Sequence, residues 1–279
     1  MVRRINESTY SPMPENVILS LSAIIALVPS SLLALRRDHR PDIVFWLVLM
    51  VAVAGPLILV LVTMAGSWRT DLSTALWVTI AATMAIFAVI AVLAHETWRL
   101  APLVSAYMAA LGIVATIWSQ VPHQPMSSAT TGGGWIGIHI GVSVGTYALV
   151  TLAAVAALAA FLQERALKNK RSTALSRLLP SVADCEGLEV RLLILGEIVL
   201  AIGLATGMVL QYGETGTLLI IDHKTILTIT AFVVIGGLLA AHFKTGLRGR
   251  QAARIVLLAY LLLTLGYPGV KFVTDVIMA

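Results

Sequence analysis

Charge is scarce in this sequence. Asp, Glu, Lys and Arg make up 12% of its 279 residues, where a soluble domain carries about a quarter. With 58% hydrophobic residues and a mean hydropathy of +0.92, the chain has too little polar surface to face water, and the membrane is left as its solvent. Cysteine is nearly absent: the single Cys185 excludes an intrachain disulfide, a CxxC redox pair and a cysteine-built metal site. No Walker loop, HExxH or GxSxG occurs, so the standard catalytic devices are missing too.

What the sequence has in quantity is uninterrupted apolar length. Runs with charges only at their ends lie at about 17–35, 43–65, 72–94, 100–118, 135–162, 191–211, 225–241 and 252–272. Long unbroken runs select helices over a barrel, because a lipid-embedded backbone must satisfy its own hydrogen bonds and barrel strands alternate. The expected fold is a single all-α integral membrane domain spanning residues 1–279, a polytopic bundle of about eight transmembrane helices.

Only Arg3, Arg4, Arg69, Lys224 and Lys271 fall on one side of such a bundle, and the other basic residues, from Arg36 to Arg254, fall on the opposite side. The positive-inside rule makes the richer side cytoplasmic and both termini extracytoplasmic. Pro12, Pro14 and Glu15 separate Arg3 and Arg4 from the first apolar run, which ends in LRRDHR, so that helix is expected to be retained rather than cleaved. The sequence pI near 9.6 reflects this topology and contact with anionic membrane lipid, and no nucleic-acid module accompanies it. The segment 163–190, basic and with spaced leucines around Pro180, is expected to lie in part as an amphipathic helix on the inner leaflet.

Against this apolar background a few polar residues stand out. His139 lies about one turn inside the run that opens GGGWIGIHIG, with Ser143, Thr146 and Tyr147 on its face. Gly133, Gly137, Gly141 and Gly145 form a separate stripe where another helix is expected to approach. The loop after the fourth run carries His123. The loop after the sixth ends in Asp222, His223 and Lys224, with Asp222 placed as an N-cap and the helix start suited to an anionic group such as a propionate. Glu197 lies two turns into its apolar run, as one side of a helix–helix hydrogen bond or part of a proton or cation path; His242 falls at a cytoplasmic helix end.

The segment WIGIHIGVSVGTYALVTLAAVAALAAFLQERALKNKR, headed by Trp135, and the stretch from DHKTILTITAF to GYPGVKF resemble the cytochrome c assembly protein family, the CcsA and CcmC haem-handling group, and within it the YpjD-like inner-membrane branch. The resemblance implies a multi-pass bacterial inner-membrane protein that binds, holds or transports haem, whose partners are lipid and apocytochrome c or another cytochrome c assembly component. It makes His139, in the pattern HxxxSxxxY, the axial-ligand candidate, with His223 or His123 as a second ligand. Asp222 and Lys224 match an Asp-Pro-Lys of the family, and His242 matches a histidine near the cytoplasmic end of the next helix. Neutral imidazole suits haem iron, since one ring nitrogen ligates while the other is oriented by a neighbour.

The chain also departs from the family. QYGETGTLLIIDHK lacks the tryptophans of haem-delivering members, and neither the second run nor the C-terminal GYPGVKFVTDVIMA contains a histidine. The expected haem site therefore opens outward between the fifth and seventh predicted runs, built from Trp135, His139, Ser143, Tyr147, Asp222, His223 and Lys224. An ion or small-molecule transporter using Glu197, or a scaffold that has lost haem delivery, is the alternative.

Overall fold

The computed structural model describes residues 13–32, 41–65, 71–94, 96–119, 133–170, 174–218 and 220–269. Among them all regular structure is helical: α1 (Met13–Leu32), α2 (Ile43–Met64), α3 (Leu72–Leu93), α4 (Ala101–Trp118), α5 (Gly133–Lys168), α6 (Ala174–Leu178), α7 (Val182–Thr215), α8 (His223–Thr245) and α9 (Arg250–Thr264). A short 3-10 turn, Thr97–Leu100, leads into α4. His123 lies outside the described residues.

Helix starts follow local chemistry. Asp42, Asp71 and Asp222 each accept a backbone N–H three residues on, from Phe45, Thr74 and Thr225, and Ser181 does the same for Asp184. α7 and α8 end on Gly216 and Gly246, whose φ values of 71° and 69° only glycine adopts cheaply. α9 stops short of the expected 272: its last turn widens into a π turn over Leu265–Gly269, around Pro268, which has no N–H to continue the ladder.

Among the described residues six helices are long and apolar enough to cross a membrane: α2, α3, α4 with its preceding turn, α5, α7 and α8. The apolar part of α1, Val17–Leu32, and the 15-residue α9 are shorter. Large side chains such as Ile43, Leu93 and Val92 stand 68–79% exposed on the outer faces, as lipid contact requires. The protein is a multi-pass helical membrane protein.

The helices form two rings of four. α1, α2, α3 and α4 pack in succession and close on each other, and α5, α7, α8 and α9 repeat that pattern; α3 against α5 joins the rings. α5 is the central helix: 78% of its most apolar window is buried, against 17% for α8. Its buried run of Ala153, Ala154, Ala156, Ala157, Ala159 and Ala160 lets neighbouring backbones approach closely.

The segment 163–190 is less separate than the sequence suggests. Residues 163–168 continue α5, residues 182–190 open α7, and α6 is a five-residue helix between them. Glu, Arg, Ala, Leu and Lys are strong helix formers, so ERALK extends the membrane helix beyond its apolar length. The break comes at Pro180, whose carbonyl, with that of Leu179, accepts from Gln163 Nε2 at 3.0 Å.

Candidate functional site

α5 and α7 form the most extensive helix pair in the protein, and their seam is set by glycines on α7. A Cβ on Gly196 would lie 3.2 Å from Val150, one on Gly203 3.4 Å from Val142, and one on Gly207 3.2 Å from the His139 ring. These glycines recur at intervals of seven and four, one helix face, and the bulk they lack is supplied by α5. The glycine stripe expected on α5 does not serve as that seam. Gly137 and Gly141 face open space, and Gly145 meets only Val199, at 4.0 Å. His139 does face away from that stripe, but its own face makes the contact.

The His139 ring is half-buried against Gly207, and its Nδ1 lies 3.1 Å from Thr206 Oγ1. Thr206 has one hydroxyl proton and directs it to the Gly203 carbonyl at 3.0 Å. Its oxygen therefore accepts from Nδ1–H, which selects the neutral tautomer whose lone pair is on Nε2. The Gly203 carbonyl is also a hydrogen-bond partner of the ring, so the imidazole is held against α7. An imidazole held through one ring nitrogen can offer the other to a metal.

One turn earlier on α5 and on the same face, Trp135 stands 56% exposed, a flat apolar surface. Beyond Thr206, α7 continues to Thr215, and α8 begins at His223. Since α5 and α7 run antiparallel, Trp135, His139 and Asp222–Lys224 share one end of the bundle. Asp222 caps α8, and the Thr225 N–H that it accepts holds its carboxyl below the usual carboxylate range. His223 and Lys224 are exposed in the first turn.

The other residues singled out from the sequence have other surroundings. Ser143 donates to the His139 carbonyl and Thr146 to that of Val142, each satisfied within α5. Tyr147 is 3% exposed and points into the junction of α5, α9 and α4. There Thr264 donates to the Tyr260 carbonyl, Tyr147 lies 3.2 Å from Thr264 Oγ1 and 2.9 Å from the Tyr260 hydroxyl, and Tyr107 of α4 reaches Tyr260 in turn. These hydroxyl contacts among Tyr107, Tyr260, Tyr147 and Thr264 tie the two rings together. His242, at the opposite end, lies with Nδ1 3.0 Å from the Leu247 carbonyl, closing the α8–α9 turn. Glu197 is on α7 against Gly236 of α8.

The haem site is expected between the fifth run and the run 225–241, now α8; against the His139 face itself the structure packs α7, and α9 is the next partner of α5. Thr206, Gly203 and Gly207 were missed, although GLATG places small and hydroxyl residues on one face.

The profile described as Cytochrome C assembly protein matches residues 41–278. The protein belongs to the cytochrome c assembly protein family. The match takes in α2 to α9 and with them His139, Glu197, Asp222, His223, Lys224 and His242. The chain is also similar to an "Uncharacterized 28.8 kDa protein in nifR3-like 5'region" of Azospirillum brasilense, 53% identical over 95% of this chain and 100% of that one. It is 28% identical to "Inner membrane protein YpjD" of Escherichia coli strain K12, over 66% of this chain and 67% of YpjD.

Proposed function

We propose that this member of the cytochrome c assembly family holds haem at the end of the bundle where α5 meets α7, with His139 Nε2 as an axial ligand. The observation that carries this reading is the His139–Thr206–Gly203 chain, which holds Nδ1 of a half-buried ring on the α5 face that also carries the exposed Trp135. Trp135 offers its exposed ring to the porphyrin, while Lys224 and the first backbone N–H groups of α8 suit a propionate at the entrance. His223, exposed in that same turn, is the second-ligand candidate among the described residues. Bound haem supplies an iron centre that can be carried in either oxidation state.

In this reading α1 and α9 complete eight spans, and both termini and the His139 end face outward from a bacterial inner membrane. The basic residues flanking the opposite ends support that orientation, and YpjD, named as an inner membrane protein, supports the location. The outward end would meet apocytochrome c or an assembly partner. Since the stretch before Asp222 lacks tryptophan, holding haem is favoured over delivering it.

The test is the haem content of detergent-purified protein made with adequate haem supply, measured after extraction for wild type, His139→Ala and Tyr212→Phe as an exposed control. Haem near one per chain in wild type and control, with loss in His139→Ala, is the expected result. Haem-free wild type purified with its partners would contradict it.

A further inference from the structure

A second polar centre lies away from the His139 seam. Glu197 sits near the middle of α7, fifteen residues from Val182 and sixteen from Gly213, the limits of that membrane-length segment. Its Oε1 lies 3.0 Å from where a Cβ on Gly236 of α8 would be, so the carboxyl occupies the space that this glycine leaves. Its Oε2 is buried with no hydrogen-bond partner. The side chain as a whole is half-exposed, next in sequence to the exposed Ile198.

Among the described residues no positive group pairs with this carboxyl. The titratable residues of α7 nearest in sequence are Arg191 and Glu189, well over a turn away; α8 carries His223 and Lys224 at one end and His242 and Lys244 at the other. α5 contributes His139 and Tyr147 within its span and Glu164, Arg165 and Lys168 beyond it. Around the contact, residues 193–201 of α7 and 232–240 of α8 carry no other polar side chain. A metal cation needs several oxygen or nitrogen donors, and no group of three or more acidic, histidine or cysteine side chains that could hold one occurs among the described residues. A proton needs one. An ionised carboxylate in hydrocarbon without a partner is costly, and protonation removes that cost.

We propose that Glu197 is a membrane-embedded proton-binding site, a neutral carboxylic acid in the α7–α8 contact over Gly236 whose proton exchanges with water. This is separate from haem binding and does not depend on it. Because the group is half-exposed in the middle of a membrane-length apolar helix, a lipid-soluble carbodiimide is the reagent suited to reach it. The carboxyl O–H adds across one C=N bond of dicyclohexylcarbodiimide to give an O-acylisourea, which rearranges to an N-acylurea; nothing leaves, and the adduct gains the mass of one reagent molecule.

The experiment is peptide mapping of the full-length protein in membranes after treatment with dicyclohexylcarbodiimide or a water-soluble carbodiimide, together with infrared spectra of the purified protein in H2O and D2O. The lipid-soluble reagent should modify Glu197 and the water-soluble one should not, while Glu186 and Glu164, toward the helix ends, report on the aqueous reagent. The carbonyl band of a protonated carboxyl should shift in D2O and be lost in Glu197→Gln. In Gly236→Ala the added Cβ should change the labelling rate severalfold. Absence of modification at Glu197, equal modification by both reagents, or a carboxyl band that does not shift in D2O would overturn the proposal. None of these readouts needs haem, so a failure here and a failure of the haem reading are distinguishable.

Discussion

At the residue scale the decisive contact is a hydrogen bond between a histidine and a threonine. An ionisable ring inside an apolar run is conspicuous in sequence, and His139 was legible for that reason. Its partner was not, because the register of α5 against α7 is a property of two helix surfaces that neither sequence states alone. Thr206→Val should leave the ring without its orienting acceptor and weaken haem retention by about tenfold to a hundredfold, the range for lost partners of metal-bound histidines. Gly207→Ala should act on the same ring from the other side, since the new Cβ would come 3.2 Å from Cε1. Haem titration of each purified variant checks both, and wild-type affinity in Thr206→Val would remove the tautomer argument.

At the element scale, helix starts were readable and helix lengths less so. Asp222 was recognisable as a cap because an aspartate immediately before an apolar run can accept the first N–H groups. Apolarity marks where lipid lies and not where a helix ends, so ERALK and VADCEGLE carry α5 and α7 past their apolar stretches. Asp222→Ala should cost about 1 kcal/mol of stability, read as a lowered melting temperature in detergent. The Thr225 N–H lowers the folded carboxyl's pKa, so the cap is fully present above the ordinary carboxylate value of about 3.9 and is lost as pH falls through the folded value. The difference between wild type and Asp222→Ala should therefore hold from neutral pH to about pH 5 and shrink in stronger acid. Tyr260→Phe removes the hydroxyl between Tyr107 and Tyr147 and should cost about 1–3 kcal/mol. An unchanged melting temperature would show that the phenol chain does not hold the rings together.

At the scale of the whole molecule, membrane class and helical fold followed from composition and run length alone. The two-ring arrangement did not, since runs of similar apolarity give no signal for which helices close on which. It places His139 in the second ring and at the end shared with Asp222, and opposite the α8–α9 turn held by His242. In a Cys185→Ala background, Thr217→Cys should react with an impermeant thiol reagent on intact spheroplasts and Arg248→Cys only after permeabilisation. Labelling of both from one side would refute the proposed orientation of α8.

The most direct test of the central claim is the reduced and oxidised absorption spectrum of purified wild type and His139→Gly, with and without added imidazole. A Soret band and sharp reduced bands in wild type, lost or shifted in His139→Gly and restored by imidazole, is the result the His139 ligand predicts. A variant spectrum identical to wild type would place the iron on another residue, and wild type without any haem band after reconstitution would contradict the haem site itself.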